Sequence, residues 1–282
     1  GRFVQSDSII PSPSHPVAWD RYAYTANNPI NYTDPSGHGY CDSDNAAEDV
    51  DCSYTAQEIL SEFYGVNVEN GNMQWTNEEI RAVYLAIMAV GARFSQVLRS
   101  VSDIITTAGE AFQGIYGNVT ILRGNRRADG SSQGLTPECA GIGVGGCTSR
   151  SNLINVVSSR SMFRMRNMVV HELGHAFKWA INSKSGYDIY TSLAIARSLW
   201  PNYPDRLDYE GDPDKTGPNY GFASPQNQFT WQQSNSGADS EEFADQFLGW
   251  TFNMWAMDAQ GAARSTMMNS LMPLVVNLVW GR

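Results

Sequence analysis

A chain of 282 residues is long enough for one large domain or two small ones, and 42% hydrophobic with 17% charged residues marks a folded protein. Its net charge of −10 would repel phosphate backbones and anionic lipid, which excludes nucleic acid as an expected partner. No apolar run reads as long enough to insert in a bilayer; residues 271–280 come nearest, but the run is short, carries Pro273 and reads as a buried terminal segment. The chain opens on Gly1 with no signal peptide before it, so it reads as a piece cut from something longer.

Residues 1–38 are rich in Pro, Asn, Asp and Ser and lack a helical period, with one short strand expected around Tyr22 to Tyr24. Turn signals recur at Asn27-Asn28-Pro29 and Asp34-Pro35-Ser36-Gly37. Together with Gly1-Arg2-Phe3 and Arg21-Tyr22-Ala23-Tyr24, these motifs resemble, in order, the last unit of an Rhs/YD-repeat core. The resemblance implies a parent shell of β-repeats followed by a variable effector domain. Where members of that family cut themselves, the cut would fall near His38 and Gly39 here, although Asp7-Ser8 stands where many relatives carry Asp-Pro.

Residues 39–75 read as a linker with a cysteine pair and a short helix at 54–65. The four cysteines are spaced by ten residues between Cys41 and Cys52 and by seven between Cys139 and Cys147. Neither spacing matches a short zinc hook, so two local disulfides are the simplest arrangement, with buried thiols the alternative. Paired cysteines and a low Lys content point to an oxidising, extracellular setting. From residue 76 a single domain is expected to run to 282. It begins with a capping box, Thr76 and Glu79, and an amphipathic helix through residues 80–94. Residues 117–124 and 153–159 alternate like strands, with a Gly-rich loop between them, and residues 162–182 read as one long helix.

That helix carries His171-Glu172-Leu173-Gly174-His175. Histidines at i and i+4 share one helical face and can aim two ring nitrogens at one ion; Glu172 lies beside them, where a general base for metal-activated water belongs. Two histidines beside an acid on an apolar helix would be costly to bury without such a role. Gly174 weakens the helix by roughly 1 kcal/mol relative to Ala, which suggests close approach of another element. The expected cofactor is one zinc ion per chain, held by three protein ligands with one position open. His15 and His38 lie in the repeat-like segment, so the third ligand is sought among acids. Glu241, Glu242 and Asp245 open a probable helix whose apolar face is Phe243, Phe247 and Leu248, and acids there also suit a helix N-terminus. Glu241 and Asp245 share a face, so one can bind metal while the other orients a ligand histidine.

These two motifs resemble those of the gluzincin metallopeptidases. The resemblance implies His171, His175 and Glu241 as metal ligands, Glu172 as catalytic base and Asp245 as the acid behind a ligand, with Glu242 the alternative ligand. The 65 residues between His175 and Glu241 are more than in many relatives, and no third histidine follows in metzincin fashion. Tyr209, Tyr220 and Tyr203, in the irregular loop at 200–237, are candidate oxyanion donors. The acids of that loop, Asp205, Asp208, Glu210, Asp212 and Asp214, fit a solvated loop better than an EF-hand. The Trp-, Met- and Phe-rich C-terminal stretch reads as core.

The expected fold is α+β: a zincin-like metallopeptidase with a small mixed sheet, an active-site helix and a helical C-terminal half, preceded by an irregular Rhs-core segment. The expected function is a zinc endopeptidase, the effector or toxin part of an Rhs-type protein that is secreted or held at the cell surface. Its expected partners are a peptide or protein substrate, a cognate immunity protein and the parent shell. The rivals are a non-catalytic zincin-like binding module and a metal-dependent hydrolase of non-peptide bonds.

Overall fold

The computed structural model describes residues 55–102, 106–126, 132–133, 136–139, 146–150, 152–157, 162–200, 202 and 239–280. The repeat-like motifs of residues 1–38, the strand expected at Tyr22 to Tyr24, the cut near His38 and Gly39, Cys41, Cys52, Tyr203, Tyr209, Tyr220 and the loop acids all lie outside the described residues. The chain divides into two compact units, Gly1–Ile59 and Leu60–Arg282. Everything that follows concerns the second, apart from the first turn of α1.

The architecture is α+β and mostly helical, with a small mixed sheet. Helix α1 (Ala56–Tyr64) opens on a capping box in which the Thr55 N–H donates to Glu58 (2.6 Å) and the Glu58 N–H to Thr55 Oγ1 (3.3 Å). Gly65, at φ 65°, turns the chain into β1 (Val66–Asn70). This strand corrects the expectation of a linker over 39–75. Val66 and Val68 are buried and β1 pairs in parallel with β2 (Val119–Arg123), so the folded unit already includes residues 60–75. Short apolar alternation in "VNVEN" is too brief to declare itself without its neighbour.

Helix α2 (Asn77–Ser102) starts at the expected box, with Glu79 N donating to Thr76 Oγ1 at 3.2 Å. It is the one described helix long and apolar enough to cross a membrane, against the expectation that no run reaches that length; half of that apolar stretch is buried within the fold. It packs on α3 (Ala108–Tyr116), a helix the sequence reading missed although Thr107 and Glu110 form a second capping box. Then come β2, the short pair β3 (Asn125–Arg126) and β4 (Ser132–Gln133), a 3-10 turn at Pro137–Cys139, β5 (Gly146–Arg150) and β6 (Leu153–Val156). The main sheet has the order β1-β2-β6-β5. Its first three strands are parallel and β5 runs antiparallel along the β6 edge. Cys139 and Cys147 are bonded, as expected for the second pair, and this ties β5 to the 3-10 turn.

Helix α4 (Met162–Ser185) is the long helix expected from the sequence, and it packs against β5, β6 and α2. Two further helices complete the unit, α6 (Asp239–Phe252) and α7 (Ala259–Val279), preceded by α5 (Ile189–Leu199), for which the sequence reading has no counterpart. The C-terminal stretch is core, as expected: Met267, Met268, Met272, Val275, Val276 and Val279 are buried. Beneath the helices Phe94 of α2 meets Phe177 of α4 at 5.3 Å between ring centroids, and Phe247 and Trp250 of α6 at 6.1 Å each. Phe177 and Phe247 each lie two residues beyond a site residue, His175 and Asp245. A two-residue step turns a helix by about 200°, so α4 and α6 each present one face to this core and the other to the site.

Candidate metal centre

The site is made where α4 crosses α6. A Cβ on Gly174 would stand 2.9 Å from the Ala244 Cα and 3.1 Å from the Phe247 Cβ, so glycine is what lets the two backbones come together. The close approach expected from Gly174 is therefore present, and the approaching element is α6. His171 and His175 occupy one face of α4, and Glu241 and Asp245 one face of α6, each pair one turn apart.

At the crossing the acceptor atoms of three side chains converge. His171 Nε2 lies 3.2 Å from His175 Nε2 and 3.2 Å from Glu241 Oε2, and Glu241 Oε1 lies 3.5 Å from His175 Nε2. Ligands about 2.0–2.1 Å from a tetrahedral ion stand about 3.3–3.4 Å from one another, so the triangle has the size of one tetrahedral face. His171, His175 and Glu241 form a group that could hold a metal ion. Asp245 Oδ1 is 2.8 Å from His171 Nδ1. In the neutral ring that contact selects the tautomer in which Nδ1–H donates to the carboxylate, which leaves Nε2 on the side of the triangle. The side chains of His171 and Asp245 are 6% and 1% exposed, those of His175 and Glu241 17% and 24%, so the centre opens to solvent on the His175–Glu241 side.

Electrostatics match this geometry. Burial draws His171 toward its neutral form, but Asp245 at one ring nitrogen, Glu241 at the other and nearby Glu172 outweigh it and hold its pKa well above the ordinary value. Burial likewise disfavours the Glu241 carboxylate, yet hydrogen bonds from His171 and His175 hold its pKa well below the usual carboxylate range. Three acceptor side chains brought this close call for a cation, whether a proton on an imidazole or a metal that displaces it.

Glu172 is buried and turned toward β5, where its Oε2 accepts from Thr148 Oγ1 at 2.8 Å. Glu242, the alternative ligand, faces away from the histidines. It accepts from Arg264 Nη1 at 2.6 Å and Gln246 Nε2 at 3.1 Å, and also pairs with Arg197. Arg197 in turn binds Asp239 at 2.8 Å. Sequence reasoning missed both arginines, because a lone Arg on a helix ordinarily reads as solvated. It also missed Tyr190 of α5, a half-buried phenol hydrogen-bonded to Ser240, the residue before Glu241. Neither family models, nor curated proteins, nor solved structures offer a match to this chain.

Proposed function

We propose that this unit is a zincin-like, gluzincin-type zinc endopeptidase. The observation that carries the reading is the triangle of His171, His175 and Glu241, with a buried glutamate of the same helix, Glu172, hydrogen-bonded to Thr148 of the edge strand β5. A structural histidine pair would have no use for a third acceptor at tetrahedral spacing. When bound, zinc supplies Lewis acidity and lowers the pKa of a water in its open position to about 7.

The chain's own residues do the remaining work. Asp245 holds the His171 ring so that Nε2 stays available, and Glu241 adds the negative charge that favours a divalent cation. Glu172, one residue along the helix from His171, takes the proton from the attacking water and can pass it to the leaving amine. Among the described residues strand β5 pairs with β6 alone, and its other edge is the one that would hydrogen-bond an extended peptide across the site.

The Rhs-like motifs of residues 1–38 support a place in a larger exported protein, with this unit as its effector or toxin. The Cys139–Cys147 bond supports an oxidising setting outside the cytosol. A toxin of this kind would need a cognate immunity protein in the producing cell. The test is digestion of a mixed peptide library by the zinc-loaded chain beside Glu172→Gln, with metal content measured on both. The expected result is one zinc per chain in each and cuts only by the unaltered protein; a protein that retains no zinc, or cuts that persist in Glu172→Gln, would overturn the reading.

A further inference from the structure

Strand β5 meets α4 at Glu172 through two residues on one face of the strand. Thr148 Oγ1 lies 2.8 Å from Glu172 Oε2 and 2.9 Å from the backbone carbonyl of the same residue, so one hydroxyl proton is shared between the carboxylate and the helix. Gly146 is two positions earlier and therefore on the same side of the strand. A Cβ built there would stand 2.5 Å from Glu172 Oε1 and 2.9 Å from both Cδ and Cγ. The Gly146 backbone lies outside the left-handed region, so its missing side chain provides space rather than conformational freedom. Glycine leaves room for one carboxylate oxygen while threonine binds the other.

The strand is itself fixed. Cys147 stands between the two residues and is bonded to Cys139. Asn155 of β6, opposite Cys147 in the register, donates through Nδ2 to the Cys147 carbonyl at 3.2 Å and to Cys139 Sγ at 3.3 Å. A glutamate side chain has three rotatable bonds, and ordering it costs on the order of 1–2 kcal/mol of rotamer entropy. That cost is met when the carboxylate is placed once, in the folded state, rather than at each turnover.

We infer that Gly146 and Thr148 form a seat that holds the Glu172 carboxylate in one orientation beside the metal ligands, which makes Thr148 a positioning residue for the base. The kinetic consequence rests on the peptidase reading above; the orientation itself does not. Because the same strand carries the edge open to an extended peptide, base and substrate backbone take their positions from a single element.

The experiment uses the full chain loaded with zinc in four forms: unaltered, Thr148→Val, Thr148→Ser and Gly146→Ala. Valine keeps the shape of threonine without the hydroxyl, and serine keeps the hydroxyl. The three heavy atoms nearest the new methyl in Gly146→Ala all belong to the movable end of Glu172, so that variant pushes the carboxylate out of place without displacing backbone at those contacts. Peptide cleavage should lose about 10–100-fold in kcat in Thr148→Val and Gly146→Ala, with KM and zinc affinity unchanged, and Thr148→Ser should recover most of the loss. High-resolution crystal structures of the four should find one Glu172 rotamer in the unaltered and serine forms and a displaced or divided one in the other two. A Glu172 carboxylate that stays in place in both Thr148→Val and Gly146→Ala overturns the inference, as does unchanged kcat. If the unaltered protein cuts no peptide, the peptidase reading falls while the rotamer comparison still decides the seat.

Discussion

Glu241 and Glu242 are consecutive residues of one helix with opposite surroundings. Glu241 turns toward two histidines at the open side of the centre and is 24% exposed; Glu242 is 1% exposed between Arg264 and Arg197. One helical position is about 100° of rotation, enough to send the two carboxylates to different faces of α6. The arginine side carries its cations in the chain, so its charges are balanced as soon as the helices pack. The histidine side collects acceptors, and among the described residues no Lys or Arg is paired with them, as suits a place that takes its cation from solution. The comparison teaches that the same acid serves as cement or as ligand according to whether its counter-charge is covalently attached.

The largest expected effect comes from breaking the cement. Glu242→Ala leaves the Arg264 guanidinium, fully buried, without its carboxylate. Removing one partner of such a pair costs about 3–5 kcal/mol, which for a unit of this size is a Tm loss of about 6–20 °C. Glu241→Ala should lower the Tm of the metal-free protein less, since its partly exposed contacts leave no fully buried guanidinium behind, yet it should abolish tight metal binding. Thermal melts and a zinc titration of both variants check the reciprocal pattern; similar Tm losses for the two would sink the distinction.

Next is the crossing that brings the two helices together. In Gly174→Ala the new methyl meets Ala244 backbone at 2.9 Å, and backbone cannot step aside as a side-chain end can. Overpacking of this kind costs about 1–3 kcal/mol, and because α6 must move, Glu241 and Asp245 move with it. The variant should therefore lose stability and metal affinity together, whereas Glu242→Ala and Glu241→Ala separate them. Zinc affinity at its unaltered value in Gly174→Ala would show that the crossing does not set the ligand triangle.

Smaller still is the effect of Asp245→Asn, which keeps the size of the side chain and a hydrogen bond to His171 but removes the charge. Outer partners of ligand histidines typically contribute about 10–100-fold in metal affinity. The expected outcome is a loss in that range by chelator competition with little change in Tm when metal is present in excess. An affinity within twofold of the original would mean that Asp245 only fills space.

The parts of this arrangement legible in the sequence are those fixed by local geometry. His171, Glu172 and His175, and Glu241 with Asp245, could be placed because helical spacing puts i and i+4 on one face before any tertiary structure is known. The long helices α2 and α4 and the strands β2 and β6 have apolar patterns that persist for enough residues to be read. Strand β5 could not be read this way. "GCTSR" is short and polar, and it becomes a strand through its pairing with β6 and the bond from Cys147 to Cys139. Arg197 and Arg264 were hidden for the same reason as Glu242's true role: long-range partners decide whether a helical charge is solvated or buried. Helix α3 was legible in principle, since Thr107 and Glu110 spell the same box as Thr76 and Glu79.

The smallest effect, and the one that separates the two sides most cleanly, is in the pH dependence of stability. Without metal, His171 has its pKa raised above 6.5, so its pairing with Asp245 and Glu241 stabilises the fold fully below 6.5 and is lost as pH rises through the folded value. Glu241 has its pKa depressed below 4.5, so its contribution is present above 4.5 and is lost as pH falls through its folded value. The metal-free Tm should therefore be highest between these limits and decline as pH rises beyond 6.5. With metal the sign reverses over the same range. The ion must displace the His171 proton, so affinity rises about tenfold per pH unit for each proton released, and the Tm rises with it through binding linkage. On the other side of α6, burial draws Arg197 toward its neutral form but Glu242 and Asp239 outweigh it and raise its pKa further, so the Tm loss in Glu242→Ala should be the same at each pH. Melts with zinc and with chelator across pH 6 to 9 should give two lines of opposite slope. A metal-free Tm that holds level or climbs over that range would mean that His171 carries no proton there, and that the acceptors of the triangle are kept together by packing alone.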